Sequence, residues 1–277
     1  MLAGNGGLDT PENAVYYIHH RKRLFCNDEM IQSLHRAFDI LEFLAQRGSE
    51  AAPLGDIARH TGLNASTGAN LLKTLVSRSY VDQVGPRKGY VLGPMAQHLG
   101  RAGGFRSDLV QAAEPLLVAL AEQVHESVVL SALHQDRLFE LARADGDSLL
   151  QLRRDLQLVE SVYRAANGRV LLAYLPETAL AGFVARAGLP GEAWPGVTDD
   201  AVLRRELEAI RQAGHYEDVR DGEVARASYP VRQSGQVVAA LGLYAPALRF
   251  GGGQRAQALA ALAATAEEIS APTVVLK

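Results

Sequence analysis

The sequence predicts an α+β protein of two domains, a smaller helical one that carries a strand hairpin and a larger one that contains a sheet. Short apolar-striped helices and then two short strands occupy the first third of the chain, and strand and helix patterns alternate beyond the glycine-rich stretch 100–104. The length of 277 residues is sufficient for two cores of ordinary size. We divide the chain into an N-terminal arm, a first domain, a linking helix with the glycine-rich break, and a second domain, at 1–29, 30–93, 94–106 and 107–277.

The N-terminal arm shows no clear periodicity and holds one basic cluster at 21–23. We interpret it as a disordered segment or an interaction tail, with a flexible arm that touches DNA as a further interpretation. The alternative is a start codon assigned upstream of the real one, because Met30 immediately precedes the first patterned stretch.

Composition excludes several classes of protein. No run approaches the roughly 20 apolar residues that a membrane helix needs, and the N-terminus lacks the residue order of a signal peptide. The single cysteine, Cys26, rules out an internal disulfide and a multi-thiolate metal site, and the eight histidines are scattered. We therefore expect a cytoplasmic protein with no membrane association, no metal and no cofactor.

The stretch 54–75 has the pattern of two short helices around a tight turn. Gly62 stands at the reversal because glycine adopts positive φ without a Cβ penalty, and Asn64 offers its side-chain oxygen to the N–H groups of the second helix. Leucines give that helix one apolar face. Its other face suits the major groove of DNA, although a plain helical hairpin with a solvated face remains the alternative. The polar residues of this face are Ser66, Thr67, Asn70, Lys73 and Thr74.

A basic hairpin follows the second helix. Strands are predicted at 79–84 and 90–92, and the turn between them carries Arg87 and Lys88 at its tip. Helix, turn, helix and basic hairpin together predict a winged helix-turn-helix, in which the wing cations reach the phosphate backbone; a generic charged hairpin is the alternative. The local charge is consistent with DNA binding. Residues 30–106 hold nine Lys or Arg against five Asp or Glu, a net charge of +4 within a chain of net charge −3.

The remaining helices of the first domain have their own boundary signals. Ser33 is predicted to cap a supporting helix that runs to about Arg47, and Pro94 opens the linking helix. In the first helix of the helix-turn-helix, Ile57 and Ala58 are expected to point inward. Arg59 and His60 are expected to face outward.

The second domain is predicted to contain a sheet covered by helices. Ser107 is expected to cap a long helix to Val124, which Pro115 kinks or restarts. Turns are predicted at 135–136 and at Ser234-Gly235. Strands are expected at 127–133, 137–143, 149–153, 156–163, 224–231 and 237–244. Helices are expected at 168–175, 177–187, 199–213 and 254–270.

From Met30 onward the chain resembles the IclR-type bacterial transcriptional regulators. Three early segments are similar to the family's winged domain: IQSLHRAFDILEFLA, LGDIARHTGLNASTGANLLKTL and GYVLGPMAQHLG. Two later ones are similar to its GAF-like α+β effector domain: LLQLRRDLQLVESVYRAANGRVLLAYLP and YPVRQSGQVVAALGLYAPALR. The resemblance implies a double-stranded DNA operator, a small-molecule effector, and a homodimer or dimer of dimers. Whether the effector represses or activates stays open.

The recognition helix departs from the family pattern. The family commonly has a cation where this chain has Ala65 and a β-branched residue where it has Gly68. Glycine inside a helix costs roughly 1 kcal/mol relative to alanine, so we hypothesise a weak helix that DNA orders. The affinity for DNA then rests more on Arg36, Arg87 and Lys88 and on the avidity of a dimer. The predicted DNA contacts are Arg36, Asn64, Ser66, Thr67, Asn70, Lys73, Arg87 and Lys88.

The predicted effector site is the loop 163–169, which enters a helix. The first N–H groups of a helix attract anions, and small residues let a ligand approach the backbone, so we expect a carboxylate. The alternative is close helix–sheet packing beside a solvated Arg169. The resemblance adds an apolar wall at Leu152 and the late hairpin. The predicted effector contacts are Leu152, Arg154, Tyr163, Ala166, Asn167, Gly168, Arg226, Ser228, Gly242 and Tyr244.

Two other functions compete with a ligand-controlled regulator. An enzyme acting on a small acid through the larger domain would need a nucleophile with a base or paired carboxylates. Cys26 lies in the unpatterned arm, His125 and His134 flank a strand, and neither GxSxG nor a P-loop occurs. The second competitor is a structural DNA-binding protein without a ligand.

Overall fold

The computed structural model describes residues 31–86, 88–102, 104–147, 161–220 and 222–271. The chain divides into two compact units, Met1–Gly104 and Phe105–Lys277, which we call unit 1 and unit 2. The boundary between the two units lies at the end of the glycine-rich stretch 100–104. No helix in the described ranges is both long enough and apolar enough to cross a membrane.

Unit 1 has the winged helix-turn-helix architecture that the sequence predicts. Its elements are α1 (Gln32–Gln46), α2 (Leu54–Thr61), α3 (Ala65–Ser77), β1 (Val81–Gly85), β2 (Gly89–Leu92) and α4 (Pro94–Arg101). Apolar side chains from the first three helices and the hairpin form one core. Its buried members include Ile40, Leu44, Ile57, Leu72, Leu75 and Val81.

The turn between α2 and α3 follows the predicted chemistry. Gly62 has a φ of 65°, in the left-handed region. The Asn64 side chain accepts a hydrogen bond from the Thr67 backbone N–H at 2.8 Å, which satisfies one free donor at the start of α3. Two other expectations are wrong. Ser33 lies inside α1, which Ile31 precedes without a side-chain cap, and His60 stacks on Phe43 with ring centroids 4.3 Å apart.

The hairpin is anchored to the loop before α2. Val81 pairs with Leu92 across β1 and β2, and Ala52 adds a bridge to Tyr90. Gly89 has a φ of +98°, and a Cβ there would lie 2.8 Å from the Ala52 carbonyl oxygen. Only glycine meets both conditions, so the base of the wing is held close to the helix-turn-helix.

Unit 2 is built on an antiparallel sheet with helices on both faces. Among the described residues its five strands run in the order β4-β3-β7-β6-β5. The strands are β3 (Ser127–His134), β4 (Arg137–Ala144), β5 (Tyr216–Arg220), β6 (Val224–Gln233) and β7 (Gln236–Pro246). The helices are α5 (Ser107–Val124), α6 (Ala166–Ala173), α7 (Glu177–Ala187), α8 (Asp200–Ala213) and α9 (Gly252–Ser270).

The two faces of the sheet bury different cores. One core joins the sheet to α5 and α9 through residues such as Leu117, Leu120, Leu130, Leu241 and Leu262. The other joins it to α6, α7 and α8 through residues such as Val170, Leu172, Phe183, Leu203 and Leu207. Ser228 of β6 bonds to Asn167 of α6, so it lies on the α6 side. Because every second residue of a strand faces the same way, Arg226 lies on that side as well.

Several expectations for unit 2 need correction. Residues 161–163 form a turn rather than the end of a strand, and 149–153 lies outside the described residues. The edge strand β5 was not predicted. Arg106, with a φ of 58° and no side-chain cap, precedes α5 in place of a Ser107 cap, and α5 continues through Pro115 without a new start. The predicted turns at 135–136 and Ser234-Gly235 do join adjacent strands.

Candidate functional site

The outer face of α3 is the candidate DNA interface. Gly68, Leu72 and Leu75 are the buried side of this helix. Asn70 and Lys73 are exposed on the other side, together with Ser66 and Thr74. Thr67 is half-buried and supplies its backbone N–H to the cap. The structure therefore brings polar residues together on one solvated face of the predicted recognition helix.

Some of these polar side chains form hydrogen bonds within α3 or to its N-cap. The Asn64 oxygen accepts from the Ser66 hydroxyl at 2.8 Å as well as from Thr67 N–H. The Thr74 hydroxyl donates to the Asn70 carbonyl at 3.2 Å. These bonds hold the start and middle of α3 in shape and leave fewer hydroxyl donors for a partner.

The cations predicted to contact phosphates are distributed over unit 1. Arg36 is exposed on α1, and Lys88 is exposed at the end of the wing turn. Arg87 lies outside the described residues.

Asn167, a predicted ligand contact, is hydrogen-bonded to the sheet. Its side chain is fully buried, and its amide nitrogen donates to Ser131 Oγ at 2.9 Å and to the Val129 and Ala240 carbonyls at 3.1 and 3.2 Å. Its oxygen accepts from Ser228 Oγ at 2.7 Å. Both ends of the amide are therefore satisfied by protein, and Asn167 fixes the start of α6 on the sheet.

Two glycines permit this approach. A Cβ on Gly242 would lie 2.1 Å from the Asn167 side-chain oxygen, and one on Gly168 would lie 1.9 Å from the Val162 carbonyl oxygen. Ala166, two residues before Gly168, is fully buried. Close helix–sheet packing, the alternative that the sequence left open, accounts for these small residues.

Arg169 is buried, so the expectation of a solvated side chain in that alternative is wrong. It is 3% exposed and lies between Trp194 and Tyr216, with its guanidinium carbon 4.2 and 4.9 Å from their ring centroids. It donates to the Tyr163 carbonyl at 2.7 Å and to the Ala193 carbonyl at 3.1 Å. Burial lowers the pKa of Arg169, against the opposing effect of nearby Tyr216.

Arg226 was predicted to pair with a ligand acid, but it pairs with a carboxylate of the chain. Its Nε donates to Asp218 Oδ1 at 2.7 Å, and its two terminal nitrogens donate to Asp218 Oδ2 and to the Arg164 carbonyl. Burial lowers the pKa of Arg226, but the hydrogen bond and charge of Asp218 outweigh it and the net shift is upward. Asp218 also accepts from Arg169 at 3.3 Å. Among the described residues, these two buried cations share one carboxylate, so positive charge exceeds negative charge within this group of three.

The two predicted tyrosines differ in their surroundings. The Tyr163 hydroxyl donates to the Gly188 carbonyl at 2.8 Å, and its ring meets Phe183 edge-on at 5.3 Å, so this side chain belongs to the core. Burial raises the pKa of Tyr163. Tyr244 is 7% exposed. In the strand register it lies opposite Arg226 of β6 and opposite Ser127 of β3. Leu152 and Arg154 lie outside the described residues.

Ser127 continues the same polar row toward β4. Its hydroxyl donates to Asp145 Oδ1 at 2.7 Å, and Arg143 Nε donates to the same oxygen at 2.8 Å. Burial raises the pKa of Asp145, but the hydrogen bonds from Arg143 and Ser127 together outweigh burial, so the net shift of the pKa is downward. The row Ser127, Tyr244, Arg226 and Asp218 crosses the sheet on the side where α6 begins.

Sequence reasoning missed the residues that complete this network. Ser131, Tyr216 and Asp218 carry no motif, and two of them lie on the unpredicted strand β5. No local pattern marks β5, because four of its five residues carry polar groups and only Val219 is fully apolar.

Comparison with known proteins matches both units to one family. The family model for the "Bacterial transcriptional regulator IclR C-terminal" domain matches residues 105–271. The model for the "IclR helix-turn-helix domain" matches residues 33–85. The HTH-type transcriptional regulator TtgV of Pseudomonas putida is 30% identical over 194 residues, which are 68% of this chain and 71% of that protein.

Solved structures show the same fold. The IclR transcriptional regulator from Alicyclobacillus acidocaldarius has a TM-score of 0.72 at 24% identity, covering 87% of this chain and 98% of that one. An IclR homolog from Microbacterium hydrocarbonoxydans, solved in complex with 4-hydroxybenzoate, has a TM-score of 0.68 at 23% identity, covering 86% of this chain and 97% of that one. Since the C-terminal family match alone spans more than half of the residues, this chain belongs to the IclR family of bacterial transcriptional regulators.

Proposed function

We propose that this DNA-binding regulator is controlled by a small organic or aromatic carboxylic acid, which binds in unit 2 beside the start of α6. The observation that carries the proposal is the charge balance at this place. Arg169 and Arg226 are both buried and share Asp218 as carboxylate. An unbalanced buried cation favours an anionic guest, and the N-terminal amides of α6 add partial positive charge.

The proposed roles of the site residues follow from their contacts. Tyr244 and the backbone amides at Ala166 are proposed to meet the acid directly, because the Tyr244 side chain extends the polar row beside Arg226. Tyr163, Asn167, Gly168, Arg226, Ser228 and Gly242 are proposed to hold that surface in place. The aromatic class of ligand is supported by the Microbacterium homolog, which was solved with 4-hydroxybenzoate.

The proposed DNA site lies in unit 1. Asn70 and Lys73 on α3 are assigned to the major groove, with Asn64, Ser66 and Thr67 at its edge. Arg36, Arg87 and Lys88 are assigned to phosphates. We propose a homodimer or dimer of dimers, because two helix-turn-helix units read two half-sites about one helical turn apart. We further propose a cytoplasmic protein without catalytic activity, in line with relatives that are regulators.

A paired thermal-shift and mobility-shift measurement tests the proposal. The full chain is screened against small carboxylic acids including 4-hydroxybenzoate, with 4-hydroxybenzamide as the uncharged control. We expect an acid, and not its amide, to raise Tm and to change mobility of the DNA upstream of the chain's own gene. The Tyr244→Phe variant should bind the acid more weakly while its DNA binding without acid is unchanged. If no acid alters Tm or DNA binding, effector control is wrong.

A further inference from the structure

Asn70 occupies the centre of the exposed face of α3. Successive residues of a helix are rotated by about 100°, so a residue two positions from both Gly68 and Leu72 points away from the side that they bury. Gly68 and Leu72 are both buried against unit 1, and Asn70 is exposed. Ser66 and Thr74 lie one turn on either side of it, and Lys73 lies beside it. Asn70 is therefore the side chain that a groove enclosing α3 meets first.

The side-chain amide of Asn70 also offers this face a hydrogen-bond donor and an acceptor on one group. Across the described residues, no hydrogen bond engages its side-chain nitrogen or oxygen, whereas the neighbouring hydroxyls are engaged. Ser66 donates to Asn64 at 2.8 Å, Thr74 donates to the Asn70 carbonyl at 3.2 Å, and Ser77 donates to the Thr74 carbonyl at 2.8 Å. A primary amide presents one donor and one acceptor side by side.

The rest of α3 offers only one side chain, Lys73, that can recognise guanine. Arginine is the usual bidentate partner of guanine O6 and N7, and α3 contains none. Its single cation, Lys73, is a flexible point charge that neutralises phosphate as readily as it meets a base. An asparagine amide, by contrast, matches adenine, accepting from N6 and donating to N7.

From this arrangement we infer that Asn70 recognises one adenine in the major groove of each operator half-site. The inference rests on the proposed DNA site and goes beyond it by naming the base and the atoms. The Asn70 oxygen accepts from the adenine amino group, and its nitrogen donates to adenine N7. Lys73 adds affinity that does not depend on sequence.

Selection of bound duplexes from a random DNA pool, using the full chain, tests the inference. The wild type should enrich half-sites with adenine at one fixed position. Asn70→Ala should lower affinity for that site by about five-fold to about 150-fold, with little effect on duplexes that have another base there. Lys73→Ala, the matched control on the same face, should weaken all sequences alike and reduce the salt dependence.

A single-atom change in the DNA makes the test specific. Replacing the selected adenine by 7-deazaadenine removes the N7 acceptor, so it should weaken the wild type and leave Asn70→Ala unaffected. An enriched half-site whose base preference survives Asn70→Ala, or whose binding ignores 7-deazaadenine, overturns the inference alone. If the wild type enriches no sequence even at low salt, the proposed DNA site and the inference fail together. Equal melting temperatures of wild type and variants establish that each comparison concerns folded protein.

Discussion

At the scale of single residues, polar side chains that looked like ligand contacts have protein partners. Asn167 bonds to three strands, and Arg226 bonds to Asp218 and to the Arg164 carbonyl. A buried polar group without a partner costs about 1–3 kcal/mol, so a folded chain supplies one wherever it can. The sequence could mark these residues as unusual but could not name their partners, which lie between 8 and 73 positions away.

Gly242→Ala is predicted to destabilise unit 2. The new methyl group would lie 2.1 Å from Asn167 Oδ1, so the amide would have to leave its buried bonds. We expect a loss of about 2–4 kcal/mol in the free energy of unfolding, measured by denaturant titration. Gly253→Ala is the matched control, because a Cβ there meets nothing within 4 Å. Similar stabilities of the two variants would contradict this account of Asn167.

The Tyr216 hydroxyl should make stability fall at high pH. Burial raises its pKa from 10.0 to about 12, against the opposing charge of Arg169. A group whose pKa is raised on folding contributes fully below its unfolded pKa and loses that contribution as pH rises through the folded pKa. The free energy of unfolding should therefore decline between pH 10 and pH 12.

The Tyr216→Phe variant separates this effect from general alkaline denaturation. It should be less stable at neutral pH, because Arg169 and Asp218 each lose a hydrogen-bond partner. Its decline above pH 10 should be shallower than that of the wild type, with Tyr163 supplying part of what remains. Parallel curves from denaturant titrations over this range would show that Tyr216 does not titrate as described.

At the scale of elements, the sequence predicted those whose signals are local. The α2–α3 turn needs a left-handed glycine and an asparagine cap, and Gly62 and Asn64 supply both within three residues. The hairpin turn at Ser234-Gly235 is equally local. The edge strand β5 was missed because five residues pairing with β6 carry little periodicity of their own. Its pairing is decided by tertiary contacts, which a local pattern does not contain.

Gly68→Ala tests the hypothesis that DNA orders α3. A Cβ at this buried position would meet only Leu54 Cδ1, at an ordinary 3.5 Å. The variant should therefore be more stable by about 1 kcal/mol and should bind operator up to about five-fold more tightly, because less ordering is left for DNA to supply. The hypothesis fails if both stability and operator affinity stay unchanged.

Gly55→Ala is the control for that experiment. It lies in α2, and a Cβ there meets nothing within 4 Å, so it tests the gain in helix propensity away from α3. We expect it to raise stability to a similar extent while operator affinity stays that of the wild type. A matching rise in affinity would mean that Gly68→Ala acts through overall stability and not through the recognition helix.

At the scale of the whole molecule, the chain places its two candidate sites in separate compact units. A boundary near Gly104 has a local signal, because the glycine-rich stretch 100–104 is a change of composition that the sequence displays directly. The link between the sites was not predictable, since coupling is a difference in free energy between states and not a pattern of residues. A ligand changes DNA binding only if it has different affinities for the two states.

The affinities for acid and for operator, which belong to different units, should change together. If an acid changes the operator Kd by some factor, saturating operator must change the acid's Kd by the same factor, and we expect about five-fold to 150-fold. Mobility shift with and without acid gives one ratio, and calorimetric titration of acid with and without operator gives the other. Tyr244→Phe should need more acid yet reach the same limiting ratio, because it weakens binding without altering the states. If an acid binds but leaves the operator Kd unchanged, it is a ligand of unit 2 that does not regulate DNA binding. Effector control by that acid would then be disproved.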